Sequence, residues 1–419
     1  MKRCDLKGAL KGGKLDLSSL DIDFVPTLAV DPVRVEYIRV AWLQDNRIAK
    51  LPPTIGLWKK VSQLRLSNNR IEILPPQIGK LRFLGMLHLD NNRLKMLPKE
   101  LAQCDNLNFL DFTRNKVQRI PVQLGLLKKL KDIEYADNAD PRRSTFPHKK
   151  VLDKGKKAVI AYLKRFTEAK KTGALNLTGV GLNEIPAEIA YPGPNLTSLD
   201  VSDIQPADGI KIPFEFGVCT QLKECKFHKY LKIVSPPEGT VKQGISVIVA
   251  YLARFNQAKV EGILDLCSMG LDRFPQELKD SDHMEPEKVQ RFLLRDNMIK
   301  TLDMELGRME NLEELDASQN KLVKLPDALQ NLKRLTVLNL TENCLLEVPQ
   351  VLGKMADQGC LQVFNASRNQ ISTVSEKLEK LKDLRVFDVS KNQIRQIPKT
   401  IGLWSDLREF LVSENQILS

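Results

Sequence analysis

An asparagine recurs every 23 residues along most of this chain, with one step of 26, and this spacing constrains the fold more than any other feature. Apolar residues stand three, five and eight positions before each asparagine, and a proline follows six positions later in seven copies. Two apolar residues that flank a single position indicate a short strand, because side chains alternate faces along a strand. The asparagines are Asn46, Asn69, Asn92, Asn115, Asn138, Asn297, Asn320, Asn343, Asn369, Asn392 and Asn415.

One repeat of this kind cannot bury its apolar row alone, whereas stacked repeats bury it continuously and pair their strands in parallel. The pattern predicts strands at residues such as 64–66 and 87–89, each followed by an inward-turned asparagine that satisfies backbone groups of its own and the neighbouring repeat. The proline is expected to begin an extended return segment, because it fixes φ and has no N–H to donate. The alternative is an amphipathic helical repeat, and the strict 23-residue step together with the L-x-L-x-x-N core argues against it.

The motif L-x-x-L-x-L-x-x-N-x-L-x-x-L-P resembles the leucine-rich repeat. The resemblance implies an α/β fold, a leucine-rich repeat solenoid shaped as a horseshoe with a parallel concave β-sheet. It also implies a binding or scaffolding role, because solenoids of this kind present extended concave surfaces.

Two segments interrupt the repeats, residues 155–173 and 244–262, and they align with each other without a gap. Their apolar residues follow the spacing i, i+3, i+4, i+7, which predicts an amphipathic helix in each. The apolar positions are Val159, Tyr162, Leu163 and Phe166 in the first copy, and Ile248, Tyr251, Leu252 and Phe255 in the second. These helices are expected to pack against the ends of repeats.

The interruptions divide the chain into segments. We predict an N-terminal cap and first repeat block at 1–148, a basic amphipathic helix at 149–173, a degenerate second block at 174–236, a second amphipathic helix at 237–262 and a third block at 263–419. The helix with its Ala-Tyr-Leu core resembles cytosolic eukaryotic leucine-rich-repeat-containing proteins. The segments that begin at Leu51 and Leu74 are similar to those of the related Ras-group leucine-rich repeat scaffolds.

No catalytic or cofactor-binding arrangement is readable in the sequence. The four histidines, at 88, 148, 228 and 283, have no ligand spacing to one another or to a cysteine, so no metal site is expected. We predict no enzymatic activity, no cofactor and no small-molecule substrate. The seven cysteines are scattered and the first residues lack a hydrophobic signal core, which favours a reducing, cytoplasmic location.

The predicted concave face holds the candidate binding residues. The position between the last two leucines of the motif points away from the core, and the residue two places earlier points the same way. In the first block these positions hold aromatic, methionine and charged side chains, a composition typical of interaction hot spots, although scattered surface hydrophobes are the alternative. The candidates for contact with a protein partner are Trp42, Arg65, Met86, His88, Phe109, Asp111 and Glu134.

A second hypothesis concerns charge. The net charge is +12, and the excess of basic residues lies within 1–173. A basic surface can attract nucleic acid or an anionic membrane. The candidate contacts are Lys156, Lys157 and Lys164, which are replaced by Ile245, Ser246 and Ala253 in the second helix. The alternative is that these lysines only form the solvent-exposed face of the helix and bind no partner.

The sequence stops in mid-repeat after Asn415. A terminal repeat without a cap exposes its leucine row and a sheet edge. We therefore expect the last strand to be covered by another chain or by further native residues.

Overall fold

The computed structural model of the protein describes residues 10–26, 35–138, 146–279, 285–355 and 361–417. The chain divides into two compact units, one of residues 1–204 with 226–228, the other of residues 205–225 with 229–419. Short parallel strands alternate with short helices throughout, so the predicted α/β leucine-rich repeat architecture is confirmed. No helix in the described ranges combines the length and the apolar character needed to cross a bilayer.

The first unit is organised around one sheet in which neighbouring strands follow chain order from β1 to β7, parallel except for β1 against β2. Farther along the chain, strands β8 and β9 pair with each other in parallel. The strands are β1 (Leu10–Lys11), β2 (Lys14–Asp16), β3 (Val40–Trp42), β4 (Gln63–Arg65), β5 (Met86–His88), β6 (Phe109–Asp111), β7 (Asp132–Glu134), β8 (Ala174–Asn176) and β9 (Ser198–Val201).

The second unit repeats this arrangement, with β13 to β19 in chain order and in parallel, and with β10 paired to β12. The strands after β9 in chain order are β10 (Ile210–Lys211), β11 (Glu224–Phe227), β12 (Ile233–Ser235), β13 (Ile263–Asp265), β14 (Arg291–Leu293), β15 (Glu314–Asp316), β16 (Val337–Asn339), β17 (Val363–Asn365), β18 (Val386–Asp388) and β19 (Glu409–Leu411). The last two residues of β11 belong to the first unit. All three residues of β19 are exposed.

The strands predicted at 64–66 and 87–89 each begin one residue earlier than predicted. Strand β4 covers Gln63–Arg65, and Leu66 follows it with its N–H donated to the carbonyl oxygen of His88 at 2.9 Å. The middle residue of the strand is buried and the two flanking residues are half-exposed. The leucines on both sides of Arg65 therefore point into the core, as the motif requires.

The asparagines stabilise the repeats as predicted. Asn69 donates from Nδ2 to the carbonyl oxygens of Leu43 (2.9 Å) and Leu66 (3.0 Å), and its Oδ1 accepts from the N–H of Ile48 at 3.0 Å. One side chain thus joins two adjacent repeats. The same bonds recur at Asn92, Asn115, Asn320, Asn343 and Asn392.

The return segment differs from the expectation of an extended chain. Pro52 is extended, with φ −71° and ψ 149°, but the next five residues wind into a 3-10 helix, since a proline also suits the start of a helix. The short 3-10 helices are Pro53–Leu57, Pro76–Lys80, Lys99–Gln103, Val122–Leu126, Ala187–Ala190, Gly193–Asn195, Phe214–Val218, Gln276–Lys279, Pro286–Lys288, Met304–Arg308, Asp327–Asn331, Glu376–Leu378 and Lys399–Leu403.

The two predicted amphipathic helices are present. The α-helices are α1 (Lys149–Leu152), α2 (Lys156–Thr172), α3 (Glu238–Lys242), α4 (Ile245–Glu261) and α5 (Val351–Met355). In the first unit, α2 packs on the 3-10 helix Val122–Leu126, and in the second unit α4 packs on Phe214–Val218. The aromatic residues of their apolar faces, Tyr162, Phe166, Tyr251 and Phe255, are buried. Both helices therefore cover the end of a repeat within their own unit.

The two helices differ in whether the hydroxyl group of their buried tyrosine forms a hydrogen bond. The Tyr251 hydroxyl donates to Glu277 at 2.7 Å, and the Ser235 hydroxyl also donates to the buried Glu277 carboxylate. The equivalent Tyr162 hydroxyl is buried and has no hydrogen-bond partner. The acid at the corresponding position, Glu188, pairs instead with Arg119.

This difference predicts that replacing the tyrosine by phenylalanine changes the free energy of unfolding in one helix and hardly changes it in the other. Tyr251→Phe should lower the free energy of unfolding by about 1–3 kcal/mol, because it leaves a buried carboxylate oxygen without its donor. Tyr162→Phe removes a hydroxyl that makes no bond, and should change that free energy by no more than about 0.5 kcal/mol or raise it. Urea unfolding of both variants, followed by circular dichroism, provides the comparison. Equal losses would show that the Tyr251–Glu277 bond contributes nothing specific.

Candidate protein-binding surface

The first sheet has one face turned away from the core, and this face carries the predicted binding residues. In β3 to β7 the middle residue of each strand is buried, while the first and third residues are half-exposed or exposed. These first and third residues, together with the half-exposed residues two positions after the strands such as Gln44 and Asp90, form what we call the exposed sheet face. It corresponds to the concave face expected from the sequence.

Parallel register brings all the predicted contact residues onto this face. Trp42 lies beside Arg65, Arg65 beside His88, and His88 beside Asp111. Met86 pairs with Phe109, and Asp111 with Glu134. Neighbouring strands in a sheet are about 4.8 Å apart, so side chains that are 23 positions apart in sequence touch or nearly touch.

Trp42 lies between two cations. The Nζ atom of Lys14 is 3.2 Å from the centre of the indole ring, and the Arg65 guanidinium carbon is 5.1 Å from it. Lys14 also pairs with Asp16, Nζ to Oδ2 at 3.1 Å. These contacts hold the indole in place, and Trp42 is consequently half-buried rather than freely accessible. Lys14 was not among the sequence candidates, although its place in the preceding strand follows from the same register.

His88 packs on Phe109 with ring centres 4.9 Å apart. Burial lowers the pKa of His88, and the positive charge of Arg65 lowers it further against the opposing effects of Asp111 and Asp90. Burial and the charge of Arg65 both favour the neutral form of the imidazole.

Three polar atoms at this face are buried and make no hydrogen bond: Nε1 of Trp42, Oε1 of Gln44 and Nε2 of His88. Gln44 follows Trp42 by two residues. The other such atoms in the described parts of the chain belong to Gln77, Tyr162 and Glu215, none of which lies on a strand of this sheet. An unpaired buried polar group costs about 1–3 kcal/mol, and a partner that supplied the missing bond would recover part of that cost.

Glu134 and Lys156, which the sequence assigned to different partners, contact each other. Lys156 at the start of α2 forms ion pairs with Glu134 and with Asp132, Nζ to Oδ1 at 3.3 Å for the latter. The hydrogen bond to Glu134 raises the pKa of Lys156. Lys157 is exposed and Lys164 half-exposed on the same helix. Lys156 is thus engaged within the chain, whereas Lys157 and Lys164 face solvent.

One group of side chains on this face has the composition of a metal site. Ligand atoms of His88, Asp90 and Asp111 lie within 4.8 Å of one another. Spacing along the sequence could not reveal this group, because Asp111 belongs to the next repeat. The repeat offset of 23 residues is the signal that would have found it, since it places positions 88 and 111 side by side.

Two stretches of the chain match family descriptions of the leucine-rich repeat, residues 287–345 and residues 60–81. Comparison with curated protein sequences gave no match. Among solved structures, a leucine-rich repeat protein of Leptospira interrogans is 24% identical over 97% of both chains, with a TM-score of 0.33.

Two receptor structures are also similar. The leucine-rich repeat ectodomain of the Arabidopsis thaliana receptor kinase GASSHO1/SCHENGEN3, in complex with Casparian strip integrity factor 2, is 23% identical over 94% of this chain and 46% of its own, with a TM-score of 0.35. The Drosophila Toll–Spätzle complex is 18% identical over 94% of this chain and 46% of that chain, with a TM-score of 0.37. The repeated motif, the stacked parallel strands and the two family matches together identify this chain as a protein built from leucine-rich repeats.

Proposed function

We propose that this protein is a non-catalytic scaffold or adaptor that binds another protein across the exposed sheet face of its first unit. The observation that carries the proposal is the set of unpaired polar atoms on Trp42, Gln44 and His88. Natural proteins satisfy most buried polar groups, and exceptions call for a functional explanation. A protein partner offers both donors and acceptors, which these three atoms need.

The composition of the face supports the same partner class. Aromatic, methionine and arginine side chains are enriched at the centres of protein interfaces, and Trp42, Phe109, Met86 and Arg65 lie together here. The exposed face of the second sheet contains none of the unpaired buried polar atoms found in the described residues. We therefore assign the main contact to the first unit.

The cellular setting belongs to the proposal as well. Scattered cysteines and the resemblance to cytosolic eukaryotic and Ras-group leucine-rich repeat proteins favour a cytoplasmic scaffold in signalling. Binding of nucleic acid or an anionic membrane through Lys157 and Lys164 is the competing function. The ion pairs of Lys156 with Asp132 and Glu134 weaken that case, because they neutralise part of the basic helix.

A photo-crosslinking amino acid at position 86 tests the proposal. Met86 is 37% exposed on the sheet face, whereas Ile73, the control position, is 61% exposed in a return segment. We expect a discrete crosslinked protein from position 86 and none from position 73, with little change between about 50 and 200 mM salt. Equal crosslinking at the two positions would contradict the proposal. Loss of the crosslink over that salt range would favour the anionic partner.

A further inference from the structure

We propose that His88, Asp90 and Asp111 form a binding site for a divalent transition cation on the exposed sheet face. Their ligand atoms lie within 4.8 Å of one another, and all three residues are partly buried. The site shares His88 and Asp111 with the proposed protein-binding face, but it needs no protein partner, so a metal ion alone tests it.

The ligand set suits a cation that accepts both nitrogen and oxygen. One imidazole and two carboxylates supply a mixed set of the kind found around zinc, manganese and iron, whereas thiolate sites select softer ions. Bond lengths of about 2.0–2.2 Å around a tetrahedral cation place ligand atoms about 3.4 Å apart. His88 and Asp111 are register partners on adjacent strands and Asp90 follows His88 by two residues, so side-chain rotation alone would have to close the remaining gap.

Each carboxylate is already oriented by a hydroxyl group. Asp90 accepts a hydrogen bond at Oδ1 from the Ser67 hydroxyl, and Asp111 accepts at Oδ1 from the Thr113 hydroxyl at 2.9 Å. Within the described part of the chain, the Oδ2 atoms of both carboxylates make no hydrogen bond or ion pair. Hydrogen bonds of this kind orient ligands and raise metal affinity. One oxygen of each acid is thus held, and the other is available to a cation.

The imidazole is also placed for coordination. His88 packs against Phe109, and its Nε2 atom is buried without a hydrogen-bond partner. A cation at this nitrogen would satisfy the atom that the protein leaves unpaired. Arg65 on the neighbouring strand opposes a cation with one positive charge, but the two carboxylates outweigh it.

The second unit supplies a matched control at Asp316. This residue accepts hydrogen bonds from Ser318 in the way that Asp111 does from Thr113, and it also lies third in its strand. Its register partner is Leu293, where the first unit has His88, and Arg295 stands where the first unit has Asp90. Asp316 therefore has the local geometry of Asp111 without the other two ligands.

The experiment titrates Mn²⁺ and Zn²⁺, each alone, into the full-length protein, with Mn²⁺ followed by electron paramagnetic resonance and Zn²⁺ by calorimetry. We expect one site for at least one of the two cations. His88→Gln and Asp111→Asn should weaken it more than about 100-fold, Thr113→Val by about 10-fold, and Asp316→Asn not at all. Circular dichroism of each variant checks folding, and Thr113→Val keeps all three ligands in place if a ligand variant unfolds.

Two results would overturn the inference. One is the absence of a single site tighter than about 1 mM for both cations. The other is a site whose affinity is unchanged in folded His88→Gln or Asp111→Asn protein. Neither result bears on the proposed protein partner, because no partner is present in the titration.

Discussion

Asn92→Asp is expected to lower the free energy of unfolding by about 2–6 kcal/mol, although the two side chains have nearly the same shape. Asn92 donates from Nδ2 to the carbonyl oxygens of Leu66 and Leu89, each at 2.9 Å. Aspartate has no donor, so both buried carbonyl groups would lose a partner and face a second oxygen instead. Losing each such bond costs about 1–3 kcal/mol.

The neighbouring residue provides the control for Asn92. Asn91 is exposed, and its Nδ2 donates to Asn68 at 2.7 Å on the surface. Asn91→Asp should change the free energy of unfolding by about 0.5 kcal/mol or less, as exposed substitutions do. Urea unfolding of the two variants measures the difference. If they were equally stable, the asparagine bonds between repeats would not be a main source of stability.

Gly125→Ala is expected to cost about 3 kcal/mol or more, the upper range for an overpacked core. A Cβ atom at this position would lie 2.5 Å from the carbonyl oxygen and 2.6 Å from the carbonyl carbon of Leu163 in α2. Backbone atoms of a packed helix cannot move aside as a flexible side chain can. The contact recurs in the second unit, where a Cβ at Gly217 would lie 2.4 Å from the Ala253 nitrogen.

Gly402 tests whether the loss of stability expected at Gly125 comes from the close approach of α2 or from replacing a glycine in a 3-10 helix. It occupies the same position of the 3-10 helix in its repeat, and a Cβ there meets no atom within 4 Å. Gly402→Ala should therefore be neutral or stabilise the protein by up to about 1 kcal/mol, because alanine restricts the unfolded chain. Thermal unfolding of the two variants gives the answer. A similar loss at both positions would remove the close approach of α2 as the cause.

The sequence predicts the repeats well because their chemistry recurs. The spacing of Asn69 and its leucines is sufficient to predict the strands, their order and the bonds between repeats. The 3-10 helix after Pro52 was missed, since a proline fits both an extended segment and the start of a helix.

Features that arise once in the chain are harder to predict. Tyr162 and Tyr251 occupy equivalent positions in two aligned helices, yet only Tyr251 meets a carboxylate, because Glu277 stays buried beside it while Glu188 pairs with Arg119. The sequence similarity between the two helices does not show which residues outside the helices lie beside each tyrosine.

The candidate site shows the same limit. Its residues could be placed on one face from alternation and register, but the degree of exposure could not. Lys14 covers part of Trp42, and Phe109 packs on His88, so only Met86 among the apolar candidates is exposed. Whether the seven predicted residues form the contact with a partner remains a prediction of the proposed function.

Binding through the exposed sheet face is measured by the affinity of the crosslinked partner for the wild-type protein and for surface variants. We expect Trp42→Ala and Phe109→Ala each to weaken binding by about 2 kcal/mol, roughly 30-fold, while the variants stay folded. Phe83→Ala, at a side chain that is 62% exposed outside the sheet strands, should bind as the wild type does. Unchanged affinity in folded Trp42→Ala and Phe109→Ala protein would contradict the claim that this protein binds its partner through the exposed face of its first sheet.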